Sequence, residues 1–352
     1  MKCAKQQDGS LLFDILNGRD RANWTAERLD PLLDLAGEHG LISLVVDAME
    51  RHNAPVPDVW KDVAIDLALN SSVQIKAAAE LSAAFRSARV DAVFAKGVAL
   101  ALTVYERPNL RAFVDVDVLI EPHSLKSAAK VLRELGYALI AKSLKNPIEC
   151  SFTRERLPGF PVEIDLHWSF IGNDGLQAPA RVPIGEILSR TKVVNEIRVP
   201  SDEDTLLLAA ANMPRKAAQP LMLIADFAGI ARKNLDWTAV AGCATPWHVR
   251  TSTWLGFELA RALLNAPVSP DFLARIEPSN SRREWLLNAL SGEQLWSTEK
   301  HLQRRYTIGF KLKCLDSRLD ELRAICALPK GIFRKLGLTQ TWSQKQLGPL
   351  KS

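Results

Sequence analysis

The sequence predicts an α+β protein: a mixed β-sheet with helices packed on it, flanked by helical regions at the N- and C-terminal ends of the chain. Three observations carry this. The first ninety residues space their leucines and alanines at helical period and show no strand pattern. Between Val90 and Trp168, short β-branched runs alternate with helical stretches and Gly/Pro breaks. After Pro200 the strands stop and the helical period returns.

The elements follow in order. Ala26–His39 sets Leu29, Leu32, Leu33 and Leu35 at three- and four-residue spacings, with Gly40 as its stop. Trp60–Arg89 is a longer, alanine-rich helix whose small side chains allow close packing. Val90–Ala95 is a short apolar strand that ends in a turn at Lys96-Gly97, followed by a helix over Val98–Tyr105 and a loop at Pro108-Asn109. Val114–Ile120 alternates, with Asp115 and Asp117 on one face and Val114, Val116 and Val118 on the other. Pro122 opens a helix that Gly136 ends. Tyr137–Ala141, Ile148–Thr153 and Val162–Trp168 read as three further strands with hairpin-length gaps. Ser201-Asp202-Glu203-Asp204 is an N-cap signature for a helix over Thr205–Asn212, its acids placed where the helix dipole favours them. Leu221–Ala231, Trp237–Ala244, His248–Leu264 and Arg282–Leu295 are the remaining helices. The chain thus divides into an N-terminal helical region (1–89), a sheet domain (90–200), a C-terminal helical domain (201–300) and a basic helical tail (301–352).

Composition narrows the function classes. Of 352 residues, 47% are apolar and 24% charged, a globular profile that excludes disordered and collagen-like chains. Five cysteines (Cys3, Cys150, Cys243, Cys314, Cys326) at wide spacings form no disulfide framework or zinc motif and point to a reducing compartment. No apolar stretch reaches the ~20 residues that span a bilayer, and no signal-peptide core follows Met1, so a cytoplasmic protein without membrane partners is expected. The net charge of +5 is uneven: from His301 onward eleven Lys/Arg face three acids, a net of +8 that leaves −3 for the first 300 residues.

Chemistry concentrates on two strands. Carboxylates two residues apart on a strand point the same way and stand about 6–7 Å apart at their backbones. Asp115 and Asp117 are such a pair. Held that close they repel unless a cation lies between them, and oxygen ligands suit Mg²⁺. The competing reading is the solvent face of an amphipathic strand, which the Asp-Val-Asp motif alone favours. Context shifts the balance toward a site. Lys96-Gly97 ends the preceding strand, where glycine lets backbone approach a phosphate and lysine neutralises it; the alternative for Lys96 is a strand-end surface lysine. Arg111 leads into the carboxylate strand, as a triphosphate contact or a structural partner of the carboxylates. In Glu163-Ile164-Asp165-Leu166-His167-Trp168 the polar residues share one face, and Asp165 would complete a two-metal site. His167 is either a proton shuttle or second-layer partner of the metal, or structural, the reading its residue type favours. Asp226, alone on an apolar helix, faces the cleft or serves a cap or ion pair.

The ordered series Ala95-Lys96-Gly97, Leu100, Tyr105, Pro108, Arg111, Asp115-Val116-Asp117-Val118-Leu119, Gly136-Tyr137 and Val162-Glu163-Ile164-Asp165-Leu166-His167-Trp168 resembles the uncharacterised nucleotidyltransferase family of the DNA polymerase β-like superfamily. More loosely, Asp34–Leu41 resembles that family's early His-Gly helix, and Leu221–Ala228 with Leu235-Asp236-Trp237 its later segments. The resemblance implies a polymerase β-like nucleotidyltransferase fold with 90–200 as its catalytic domain. It implies Asp115 and Asp117 as a metal-binding pair, Asp165 as the third metal ligand and catalytic carboxylate, and Lys96, Gly97, Arg111 and His167 as groups around the nucleotide. The implied cofactor is Mg²⁺, as two ions, with Mn²⁺ as a substitute, and an NTP such as ATP is the donor. A natural-product, sugar or peptide acceptor is the favoured partner; toxin-type transfer to tRNA or protein is the alternative. In the wider superfamily a Gly-Ser pair follows the first strand, whereas this chain has Lys96-Gly97, as its subfamily does.

Two readings from other classes compete. A non-catalytic binding protein that keeps the fold is disfavoured because all three carboxylates are present. A nucleic-acid binder built on the basic tail is disfavoured because Leu312, Leu315, Leu319 and Leu322 give that tail an amphipathic pattern without an aromatic platform.

Overall fold

The computed structural model describes residues 10–145, 148–169, 180–216, 218–290, 295–296 and 309–335. The expected mixed sheet is present, with helices before and after it. Strands β1 (Ala92–Phe94), β2 (Asp115–Ile120), β3 (Ala138–Leu139), β4 (Glu149–Leu157) and β5 (Phe160–His167) form one five-stranded sheet in the order β1-β2-β5-β4-β3. Its centre is the parallel pair β2·β5; β1·β2, β4·β5 and β3·β4 are antiparallel. The register of β2 on β5 sets Asp115 beside Glu163, Asp117 beside Asp165 and Leu119 beside His167.

Period-two alternation separates the faces of this sheet. Val116, Val118, Ile120, Ile164 and Leu166 point into a core filled by the helix Leu125–Glu134 and by Val73, Ala77, Ala78, Leu81 and Phe85 of the long helix Asp58–Ser87. Asp115, Asp117, Asp165 and His167 stand on the opposite face, where Val93, Ala95, Leu100 and Leu119 meet a second core. That core is built from the helices Ile42–Arg51, Asp202–Asn212, Met222–Ile230 and Arg250–Leu264. The long helix joins the two: Trp60 near its start belongs to the helical core, and its second half backs the sheet.

That helix also braces the entrances to the central strands. Asn70 Nδ2 donates to the Phe113 carbonyl at 2.9 Å, and Gln74 Nε2 donates to Val114 O at 3.3 Å and Pro161 O at 3.2 Å. Both parallel strands are therefore tied to one helix just before their site residues emerge. Its end is a Schellman turn, with Arg89 in the left-handed region and Val90 N–H bonded to Phe85 O. Gly40 and Gly136, expected as helix stops, end their helices at φ +71° and +83°, the left-handed conformation for which glycine has least penalty.

Some elements depart from expectation. The helix foreseen over Ala26–His39 is broken into Ala26–Leu29, a 3₁₀ turn Asp30–Leu32 and Leu33–Glu38. Pro31 explains the break, because it lacks an N–H and crowds the preceding turn. A hairpin of β6 (Thr191–Val194) and β7 (Ile197–Pro200), not foreseen, packs against β1 with Ile197 and Val199 buried. Its turn residues Asn195 and Glu196 both have positive φ, the geometry of a two-residue primed turn, without the glycine that usually announces one. The helix Pro270–Ile276 was also not foreseen. In the tail, residues 301–308 and 336–352 lie outside the described set; the helix Arg318–Lys335 is described, with Leu315 buried before it and Leu319 and Leu322 exposed on it. Asp316 caps the helix Arg250–Leu264 by accepting from Arg250 N and Thr251 N, and Arg282 pairs with Glu321 at 2.8 Å. Among the described residues no helix is long and apolar enough to cross a membrane.

The expected N-cap at Ser201 accepts from Asp204 N at 3.1 Å. Ser201→Ala is expected to cost about 1 kcal/mol and Ser201→Asp much less. Urea denaturation checks this through a lower midpoint at unchanged slope.

Candidate active site

Lys96, Asp117, Asp165 and His167 converge on the polar face of the β2·β5 pair. Lys96 Nζ donates to Asp117 Oδ1 at 2.5 Å and lies 3.4 Å from His167 Nε2. His167 Nε2 is itself 2.7 Å from Asp117 Oδ1, and its Nδ1 is 3.0 Å from Glu149 Oε2. Asp117 is 2% exposed and His167 fully buried. Burial pushes the Asp117 carboxyl up, but the Lys96 charge and the contacts with His167 outweigh it and hold Asp117 well below the carboxylate range. Burial and Lys96 pull the His167 imidazole down, yet its bonds to Asp117 and Glu149 leave it raised.

Asp165 has a different environment. Burial pushes its carboxyl up to about 6, against a hydrogen bond from Ser151 and the charge of His167. Its Oδ1 is buried without a hydrogen-bond partner. A buried carboxylate oxygen left unengaged is costly unless something arrives to use it. Asp115 is half-buried; burial and then the charge of Asp117 raise its carboxyl, while Lys96, His167 and Arg111 pull the other way.

The remaining expected residues fall around this centre. Lys96 opens the helix Lys96–Thr103 with φ +46°, a left-handed conformation rare for a lysine. Gly97 is buried, and a Cβ there would lie 2.7 Å from Phe113 Cβ; its smallness lets the helix seat on the residue that leads into β2. Arg111 is fixed by a two-pronged bond to Asp226, Nε to Oδ1 at 3.3 Å and Nη2 to Oδ2 at 3.0 Å. Tyr105 donates to the same Asp226 Oδ1 at 2.7 Å. Burial, with Asp226 adding to it, holds the Tyr105 phenol well above its ordinary value, so it stays a donor. Of the two roles open to Asp226, the structure has the ion pair. Glu163 is exposed and Trp168 buried.

The strand alternation did not single out β4, which supplies the partners. Glu149, Ser151 and Thr153 stand opposite His167, Asp165 and Glu163. The signal was present in Glu149-Cys150-Ser151-Phe152-Thr153, which alternates in step with the strand it pairs. Of the other histidines, His39 has a structural role. His39 accepts from Leu221 N at Nδ1 and meets Trp296 O at Nε2, its own carbonyl accepts from Met222 N, and Gly40 packs on Met222. The His-Gly segment thereby docks the helix that carries Asp226. Asp236 caps the helix Trp237–Ala244, while Trp237 packs on Phe257 and Phe272.

A family model described as uncharacterised nucleotidyltransferase matches residues 25–265. The chain belongs to this family. No curated protein matches the chain. Membership makes the protein a transferase of the nucleotidyl class and implies a nucleotide substrate. The residues that carry the resemblance meet in space: His39-Gly40, Tyr105, Arg111 and Asp226 in one connected cluster, and Lys96, Asp117, Asp165 and His167 in the next.

Divalent metal fits the second cluster. Among the described residues, donor atoms of Asp117, Asp165 and His167 lie within 4.8 Å of one another. Two carboxylates and an imidazole form a donor set that divalent ions accept, and the unengaged Asp165 oxygen is available to one. Asp115, expected in the ligand set, lies outside this convergent trio.

Removing Asp226 would strand the Arg111 guanidinium, which is largely buried. Asp226→Ala is expected to cost about 3–5 kcal/mol, and Tyr105→Phe only about 1 kcal/mol for its hydrogen bond. Chemical denaturation of both variants checks the ranking, which reverses if Asp226 has no structural role.

Proposed function

We propose that the protein transfers a nucleoside monophosphate, or a related phosphate-linked group, from an NTP to a hydroxyl or phosphate of a natural-product, peptide or sugar acceptor. The observation that supports this most is the level placement of Asp117 and Asp165 on parallel strands, with Asp115 on the same face, in a chain of a nucleotidyltransferase family.

In this reading Asp117 and Asp165 hold Mg²⁺, with Asp115 next to them as the second half of the carboxylate pair. Two bound ions would polarise the transferred phosphoryl group and neutralise the charge that develops on it. Asp165 takes the proton from the attacking acceptor oxygen. That oxygen bonds to the α-phosphorus as the bridging bond to the β-phosphate breaks and pyrophosphate leaves. Lys96 and Arg111 supply positive charge to the triphosphate, Arg111 with its plane already fixed by Asp226. The 90–200 segment is the catalytic domain of this reading, and the helices after it form the acceptor side. The complete carboxylate set argues against a fold retained only for binding.

Incubation with α-³²P-labelled NTPs, Mg²⁺ and candidate acceptors tests this. Wild-type protein is expected to transfer label, and Asp117→Asn and Asp165→Asn to lose about 10²–10³-fold or more. Transfer that survives both substitutions, or that ignores EDTA, contradicts the reading. Label on RNA rather than on small-molecule or peptide acceptors would move the acceptor to nucleic acid.

A further inference from the structure

The cation-binding face of this site already holds a cation that belongs to the chain. Lys96 Nζ touches Asp117 at 2.5 Å and approaches His167 Nε2 to 3.4 Å, so it contacts two of the three residues whose donor atoms converge. A lysine at a strand end reaches solvent with ease, yet this one is turned inward, with its side chain 20% exposed. Its backbone is also left-handed, at φ +46°. Left-handed backbone in a non-glycine residue is costly and collects where function requires it. His167, for its part, is arranged as metal-binding histidines are: one ring nitrogen faces a carboxylate, Glu149, and the other faces the convergent donors.

We propose that Asp117, Asp165 and the Nε2 of His167 form a divalent-cation site in which the Lys96 ammonium is the resident occupant of the metal-free protein, so that metal enters by displacing it. This rests on the reading that a divalent ion binds this face. It adds a nitrogen ligand to the oxygen set, with Glu149 as its positioning residue, and makes metal entry an exchange of cations. An ammonium and a divalent ion cannot share the Asp117 oxygen without strong repulsion. The exchange frees Lys96 Nζ while adding positive charge beside Asp117, the arrangement an incoming triphosphate needs. A nitrogen ligand also makes Mn²⁺ a better fit than Mg²⁺, which prefers an all-oxygen shell.

Mn²⁺ binding to the full-length protein, followed by electron paramagnetic resonance without nucleotide, tests this independently of transfer activity. Wild type is expected to bind Mn²⁺ at a site that Asp117→Asn abolishes. Pulsed spectra should carry a ¹⁴N modulation that ¹⁵N-histidine labelling of the wild type converts and His167→Asn removes. Glu149→Gln should weaken binding about 10-fold or more. Lys96→Met should tighten it by about tenfold or more, with Lys96→Arg close to wild type. Bound Mn²⁺ without histidine modulation overturns the nitrogen ligand, and Lys96→Met affinity at or below wild type overturns the exchange; both leave nucleotidyl transfer standing. Wild type that binds no Mn²⁺ overturns this proposal together with the cation reading beneath it.

Discussion

Because β2 and β5 run parallel and in register, Asp117 and Asp165 leave the sheet side by side, and two anions so placed repel unless positive charge comes between them. The surroundings answer that constraint in different ways for each. Asp117 is saturated by Lys96 and His167 and stays ionised, while Asp165 keeps a buried oxygen unengaged and a carboxyl pushed toward neutrality. One strand pairing thus yields two carboxylates of unlike character, one a fixed anion and one available to bind or take up a proton. The polar row on β4 completes the pattern, with Ser151 on Asp165 and Glu149 on His167.

Such a pairing persists only if the strands cannot slip, since a shift of one residue would turn every carboxylate into the apolar core. Valine and isoleucine on the reverse face lock the register by packing on the long helix, and Asn70 and Gln74 of that helix hold the strand entrances directly. A separate chain of contacts positions Arg111. His39-Gly40 seats the helix Met222–Ile230, that helix presents Asp226, and Asp226 grips the guanidinium with Tyr105 as a second donor. The helical regions therefore fix Arg111 in the segment that leads into β2.

Much of this was legible in the sequence. Alternation placed Asp115 with Asp117 and Asp165 with His167, because strand periodicity is a local property that one sequence displays. Helix stops at Gly40 and Gly136 and the cap at Ser201 were readable for the same reason. What one strand does to its neighbour was not. The level pairing of Asp117 with Asp165 depends on a register between strands nearly fifty residues apart, and no single strand assigns Glu149 and Ser151 as their neighbours' partners. His167 looked structural because its Nε2 faces Asp117 only once β5 lies beside β2. Asp226 kept two open roles until folding brought it to Arg111, across a separation that no local pattern spans. Lys96 is expected at a phosphate; its contact with Asp117 and its left-handed backbone are features that its residue type does not announce.

The central claim is that the paired strands build a cation site at Asp117 and Asp165. Anomalous diffraction at the manganese edge, from crystals grown with Mn²⁺, measures it most directly. The account predicts a peak within ligand distance of both carboxylates. A peak elsewhere, or none on this face of the sheet at saturating Mn²⁺, would contradict it.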